Sequence, residues 1–130
     1  MNKYTYWIGA LILVVGIVWL IATPGKPGKY DGFAQCIKDA GNVTFYGAFW
    51  CPHCQAQKAR FGKSAKYLPY VECSTPDGQG QTPFCAEKGV TTYPTWDFGS
   101  TSTSTIERLV GEMELVAIAQ RTGCALPLEN

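Results

Sequence analysis

Two cysteines separated by two residues, Cys51-Pro52-His53-Cys54, stand where a β-prone run gives way to a helix-forming one, and this placement constrains the fold more than any other feature. Val43 to Ala48 reads as a strand, and Gln55 to Phe61 reads as a helix whose first residue is Pro52, a position that suits proline. Cys51 then sits at the helix N-terminus, where unpaired N–H groups and the positive end of the helix dipole favour a thiolate. Cys54, one turn on, lies on the same side and is expected to be more buried and less reactive than Cys51, which is expected at an exposed helix end. His53, the only histidine in the chain, adds positive charge beside Cys51 when protonated and makes the disulfide form less stable.

A Cys-x-x-Cys pair also serves as half of a zinc site. Such a site needs a second pair at similar spacing, and Cys36, Cys73, Cys85 and Cys124 are scattered singly. The expectation is therefore redox chemistry with no metal and no bound cofactor. The remaining function classes are bounded by charge: 16% of the 130 residues are charged and the net charge is +1, so there is no electrostatic footprint for nucleic acid.

Tyr6 to Ala22 contains no charge. As a helix its length is about 26 Å, close to the hydrocarbon thickness of a bilayer. Tyr4, Tyr6, Trp7 and Trp19 fall where interfacial aromatic residues belong. A cleaved signal peptide is the competing reading, with Lys3 as its positive start. Leu20, however, occupies the position before the cut where a small side chain is needed, and the apolar core is long for a signal. Residues 1–22 are thus expected to be a retained single-pass anchor, with residues 6–22 in the membrane. Residues 23–29, Thr-Pro-Gly-Lys-Pro-Gly-Lys, form a linker, and residues 30–130 a single domain. Lys26 and Lys29 oppose an outward orientation, but an even number of cysteines, six, fits an oxidising compartment; the domain is expected on the extracytoplasmic, periplasmic side of the cell membrane.

Within the domain, Asp31 is a candidate N-cap for a helix running to Ala40, with Gly41 as its stop. After Pro69, Tyr70 to Cys73 reads as a second strand, and Thr82-Pro83 opens a short helix ending at Gly89. Thr95–Phe98 and Thr105–Val110 read as a hairpin across a polar Ser/Thr turn. Glu112 to Thr122 reads as a closing helix stopped by Gly123.

This order, with a Cys-x-x-Cys opening the first long helix after a strand, resembles the thioredoxin fold: α/β, a central mixed β-sheet flanked by helices. Tyr93-Pro94-Thr95 strengthens the resemblance, since thioredoxin-like proteins carry a cis-proline opening the strand that faces the two cysteines. Pro94 takes that place, and Trp50 and the Tyr93 backbone are then expected to meet an extended substrate peptide. The Cys-Pro-His-Cys tetrapeptide is similar to that of the periplasmic disulfide donor DsbA, whose large helical insertion this chain has no room for. A longer resemblance, over Tyr46–Gln55, Leu68–Cys73 and Tyr93–Trp96, is to the thioredoxin-like domain that accompanies bacterial and plant homologues of vitamin K epoxide reductase.

The resemblance implies an oxidant of substrate protein thiols, with Cys51 attacked and Cys54 resolving, whose cysteine-containing substrates are secreted proteins. It also implies reoxidation by a quinone-linked membrane reductase of the vitamin K epoxide reductase type. One apolar span cannot form that reductase's helical bundle, so a separate membrane partner is expected, and quinone is involved only through it. A reductase or isomerase, as in cytochrome c maturation, and a copper-binding adaptor are the alternatives. Cysteines at similar places in related domains imply a structural Cys73–Cys85 disulfide. Cys36 and Cys124 lack that precedent, leaving a bond between them or two buried thiols. One departure stands out. Many thioredoxins place a buried acid six residues before the first cysteine to manage the resolving thiol's proton, and here that residue is Phe45. Water or Lys58 is the expected substitute at Cys54.

Overall fold

The computed structural model describes residues 2–23, 25–100 and 102–128. Pro24 of the expected linker, Thr101 of the Ser/Thr run and the last two residues of the expected domain lie outside these. The elements in chain order are α1 (Lys3–Ala22), α2 (Asp31–Asp39), β1 (Val43–Gly47), α3 (Pro52–Phe61), a 3-10 turn over Gly62–Tyr67, β2 (Tyr70–Glu72), α4 (Pro83–Glu87), β3 (Thr95–Gly99), β4 (Ile106–Val110) and α5 (Leu115–Thr122).

The four strands form one mixed sheet in the order β2-β1-β3-β4. β1 and β2 run parallel, pairing Phe45 with Tyr70 and Gly47 with Glu72, whereas β3 is antiparallel to both β1 and β4. This is the mixed sheet with flanking helices that the resemblance implies. Alternation along β1 divides the interior in two. Val43 and Phe45 join Phe33 and Ile37 of α2, Phe61 of α3, Trp96 and Phe98 of β3 and Ile118 of α5 in the main core. Tyr46 faces the other way and packs with Cys73, Cys85 and Val90, so α4 covers the opposite face. Phe45, fully buried, stacks on Trp96 with ring centroids 4.4 Å apart and meets Tyr70 edge-on at 5.2 Å. The site at which an acid is common in related proteins is thus an aromatic contact.

α1 buries none of its residues and is apolar on all sides. It is long and apolar enough to cross a membrane, a property shared by anchors and by signal sequences. Two disulfides staple the domain. Cys36 of α2 joins Cys124, beyond α5, and Cys73 joins Cys85 across the second core.

Two helix starts differ from the sequence reading. Asp31 is the first helical residue of α2, with Tyr30 at the cap, and its carboxylate turns back to accept the Gly28 N–H at 3.0 Å. The closing helix begins at Leu115, after Glu114 as its cap, and not at Glu112. Gln57, buried in α3, explains the delay: its amide accepts from Met113 N–H at 2.6 Å and donates to Met113 C=O at 3.1 Å. Both main-chain groups of Met113 are therefore engaged outside any helix.

Candidate active site

β1 ends at Gly47 and the chain turns through Ala48 to Trp50 before Cys51 caps α3 in an extended conformation, with Pro52 in the first helical turn. Proline gives up no helical hydrogen bond there, and the cap must leave helical dihedrals for the turn to close. The Cys51 sulfur occupies the acceptor position that a serine or aspartate takes at other helix starts: Cys54 N–H donates to it at 3.4 Å. Negative charge on this sulfur is thus met by a backbone donor and by the helix N-terminus. Gln55 extends the arrangement backward, its side-chain amide donating to Phe49 C=O at 2.8 Å.

Cys51 and Cys54 are the free cysteines, and both are buried. The sequence reading placed Cys51 at an exposed end; in the structure it is 5% accessible, because Ala48, Cys54 and Tyr93 close around it. The exposed groups are its neighbours, Phe49 and Trp50, each about half accessible. Cys54 is more deeply enclosed still, at 1%. Burial, with a hydrogen bond from Cys51 second, pushes the Cys54 thiol up to about 12. A backbone hydrogen bond at Ala48 and the Lys58 ammonium act in the opposite direction.

Opposite the cysteines, the Tyr93–Pro94 peptide bond is cis and Pro94 is fully buried. Tyr93 C=O lies 3.8 Å from Cys51 Sγ. Its ring meets Trp50 edge-on at 6.2 Å, and its hydroxyl accepts from Gln81 at 2.7 Å. Trp50 is fixed at its other end by a 2.9 Å hydrogen bond to Ser74 Oγ. Trp50, Cys51, Cys54, Tyr93 and Pro94 therefore converge on one site, with Trp50 half accessible and the two sulfurs and Pro94 beneath the surface.

His53 has a partner that the sequence reading did not identify. Its side chain is 72% accessible and its Nδ1 lies 2.7 Å from Glu112 Oε1. Glu112 also pairs with Arg60 at 3.4 Å, and Arg60 reaches Glu114 at 2.7 Å. The hydrogen bond from His53, ahead of that from Arg60, holds the Glu112 carboxyl below the ordinary carboxylate range. Whatever charge His53 brings to Cys51 is partly balanced by this carboxylate.

Sequence reasoning passed over Glu72. One of its oxygens accepts from Phe49 N–H at 3.2 Å and Ser74 N–H at 2.9 Å, bracing the turn that delivers Trp50 and Cys51. The other accepts from Tyr70 Oη at 2.8 Å. The period of two along β2, which sets Tyr70 and Glu72 side by side, is the signal that points to this pair. Among the described residues no group of three or more His, Cys, Asp or Glu side chains converges as a metal site.

The family model described as Thioredoxin matches residues 28–122. Over 93 residues the chain is 41% identical to the thiol-disulfide oxidoreductase LTO1 of Arabidopsis thaliana, an alignment that covers 68% of this chain and 23% of that protein. The chain thus spans less than a quarter of its relative's length. Among solved structures, thioredoxin of Trichomonas vaginalis has a TM-score of 0.44 at 19% identity, covering 75% of this chain and 92% of that one. Oxidised thioredoxin O2 of Arabidopsis thaliana has a TM-score of 0.40 at 20% identity, covering 68% and 81%. The family match encloses the strand, the cysteine-capped helix and the cis-proline opposite it, and on that ground the chain belongs to the thioredoxin family.

Proposed function

We propose that this protein is a membrane-anchored oxidant of protein thiols, with Cys51 as the sulfur attacked and Cys54 as the resolving thiol. In the oxidised protein a substrate thiolate attacks Cys51 Sγ, the Cys51–Cys54 bond breaks, and its electron pair leaves on Cys54. A second substrate thiolate then attacks the mixed disulfide and releases Cys51 as a thiolate, so that the substrate is oxidised by two electrons and the protein reduced by two. Trp50, Tyr93 and Pro94 would hold the substrate segment beside the pair, the Tyr93 main chain supplying strand-like hydrogen bonds.

The observation that carries the oxidising direction is the Cys51 sulfur acting as the cap of α3, with Cys54 N–H aimed at it. A helix end that receives a thiolate favours the reduced form and makes the disulfide a ready electron acceptor. Pro52 and His53 support the same direction, with Glu112 moderating His53. Two disulfides elsewhere in so small a domain support a location outside the cytoplasm, and α1 supports attachment to the membrane. The resemblance over Tyr46–Gln55, Leu68–Cys73 and Tyr93–Trp96 supports a quinone-linked reductase of the vitamin K epoxide reductase type as the partner that reoxidises the pair.

Equilibration of Cys51 and Cys54 against a glutathione series tests the direction. A potential well above that of thioredoxin, about −270 mV, is expected. His53→Ala should move it to a more reducing value. A pair as reducing as thioredoxin would end the oxidant assignment. Cys54→Ser, which cannot resolve, should accumulate mixed disulfides through Cys51 with two kinds of protein: secreted proteins bearing cysteine pairs, and one multi-span membrane reductase. Capture of the first kind without the second, in cells where Cys51 is nevertheless oxidised, would count against the proposed electron route.

A further inference from the structure

Exchange at a buried resolving thiol needs a route for its proton, and the acid that often supplies one is replaced here by Phe45. The strand beside Phe45 offers another. β1 and β2 pair Phe45 with Tyr70, and two residues along β1 Gly47, having no side chain, lets Tyr70 and Cys54 close in on the strand. A methyl group placed on Gly47 would stand 2.9 Å from Cys54 Sγ, 2.8 Å from Tyr70 Cε2 and 3.2 Å from Tyr70 Oη. Thiol and phenol thus face each other across the missing side chain. Tyr70 Oη donates to Glu72 at 2.8 Å, and Glu72 is exposed. The three groups form a series from a buried sulfur, through a half-buried phenol, to a carboxylate in water.

We propose that Tyr70 and Glu72 carry the Cys54 proton between the buried site and solvent. The proposal rests on thiol-disulfide exchange at Cys51 and Cys54 and is independent of its physiological direction. When a thiolate attacks Cys51 and the disulfide breaks, the electron pair arrives on Cys54, which takes a proton from Tyr70 Oη, directly or across one water. Tyr70 regains one from the Glu72 side, supplied by solvent. In the reverse step Cys54–SH gives its proton to Tyr70 as Tyr70 passes its own to the Glu72 carboxylate. The Cys54 sulfur then attacks the mixed disulfide, the Cys51–Cys54 bond forms, and the partner leaves as a thiolate. Tyr70 stays neutral in both directions.

The surroundings agree. The charged and titratable groups facing the series are Cys51, Cys54, Lys58 and Glu72. Lys58 of α3 sets its ammonium 3.3 Å above the Tyr70 ring, which orients the phenol and places a cation where charge on Cys54 develops. Burial first, then the hydrogen bond to Glu72, raises the Tyr70 phenol, so it relays a proton without losing one. The Cys54 thiol is held up in part by its hydrogen bond with Cys51 and by charge there. Both influences vanish when Cys51 is tied in a mixed disulfide, so Cys54 yields its proton most readily at the step that requires it.

Rapid mixing of the reduced full chain, in detergent micelles, with oxidised glutathione separates formation of the Cys51–glutathione disulfide from its closure by Cys54. The expected result is that Tyr70→Phe and Glu72→Gln each slow closure at pH 7 about tenfold or more. Closure in the variants should keep rising with pH beyond the wild-type plateau, as hydroxide replaces the relay, and added imidazole buffer should accelerate the variants more than the wild type. Alkylation of Cys51 by iodoacetamide should match the wild type, which shows the first step and the exchange chemistry to be intact. Glu72→Gln keeps an oxygen for Phe49 and Ser74 N–H; if it nevertheless loosens that turn, Tyr70→Phe, which keeps the ring and the backbone contacts, decides alone. Wild-type closure rates and pH profile in folded Tyr70→Phe would overturn the proposal. So would a loss shared equally by Cys51 alkylation and insensitive to imidazole, which would assign the pair a structural role only.

Discussion

His53 Nδ1 and Glu112 Oε1 lie 2.7 Å apart, which ties the residue between the two cysteines to the segment that leaves β4. Fifty-nine positions separate the two in sequence, and only the antiparallel pairing of β3 with β4 brings Glu112 back to α3. Glu112 shares its carboxylate with Arg60, so the pair is one edge of an exposed cluster around the helix that carries Cys51.

Replacing Glu112 by Gln should therefore do two things. It frees protonated His53 from its counter-charge, so the Cys51/Cys54 pair should become more oxidising, by up to about 30 mV, the equivalent of a tenfold change in the exchange constant. It also alters the acid range. The folded-state pKa of Glu112 is depressed, so its contribution to stability is present above the unfolded carboxylate value and is lost as pH falls through the lower folded one. Urea unfolding at pH 3 to 6 should show that loss in the wild type and not in Glu112→Gln. An unchanged potential in a variant with the altered acid slope would mean that His53 acts on the cysteines by some means other than charge.

Gly47 is a second point of control. Its missing side chain is the space that Tyr70 and Cys54 share, and a methyl group there would come within 2.9 Å of both residues. Neither can withdraw easily, since Cys54 is fixed in α3 and Tyr70 is held between Glu72 and the Phe45 ring. Gly47→Ala should cost about 1–3 kcal/mol by overpacking and should slow exchange by moving the Cys54 sulfur. Thermal unfolding with parallel exchange kinetics would check it; a variant as stable and as fast as the wild type would show that the strand shifts to make room.

How much of this was legible in the sequence follows from which forces act locally. The strand-to-helix turn at Cys51, the prolines at Pro52 and Pro83, and the stops at Gly41, Gly89 and Gly123 depend on a few adjacent residues, and the sheet and helices fall close to where that chemistry puts them. The start of α5 was not legible, because it is set by Gln57, which holds Met113 from another helix. Burial of Cys51 was missed for a similar reason: helix position predicts exposure, but Tyr93 arrives from the far side of the fold to cover it. The Cys36–Cys124 bond joins residues 88 apart, and nothing near either one distinguishes a partner from a free buried thiol. The pairing of His53 with Glu112 depended likewise on topology.

The two disulfides should differ in what they contribute. On chain entropy alone, a closed loop of 12 residues gives about 3 kcal/mol and one of 88 about 4.6 kcal/mol. The Cys36→Ala/Cys124→Ala protein should then unfold at lower denaturant than Cys73→Ala/Cys85→Ala, and both below the wild type. Neither bond includes Cys51 or Cys54, so exchange with glutathione should persist in both variants while they remain folded. A larger loss on removing the Cys73–Cys85 bond would mean that packing in the second core, where both sulfurs are fully buried, outweighs loop length.

The last expectation concerns alkaline pH and the redox state together. In the reduced protein the Cys54 thiol is pushed up to about 12 from an ordinary value of 9.0, chiefly by burial. Between those two values the unfolded chain has released a proton that the folded chain still holds, so the folded state binds more protons and stability must fall as pH rises. The contribution is fully present below the unfolded value and is lost through the folded one. In the oxidised protein Cys54 is in a disulfide and does not titrate, so that slope is absent. Tyr70, also raised, adds a loss of the same sign above its ordinary value of 10.0, but it does so in both redox forms. The difference between the forms therefore reports the Cys51 and Cys54 thiols together, and Cys54→Ala separates the part that belongs to Cys54. Urea unfolding at pH 8 and pH 10.5 should show the oxidised protein gaining on the reduced one as pH rises, and Cys54→Ala should lose the pH dependence that distinguishes reduced from oxidised protein. Parallel slopes in the two forms would mean that the Cys54 thiol ionises as easily folded as unfolded, and would remove the need for a dedicated proton route at that sulfur.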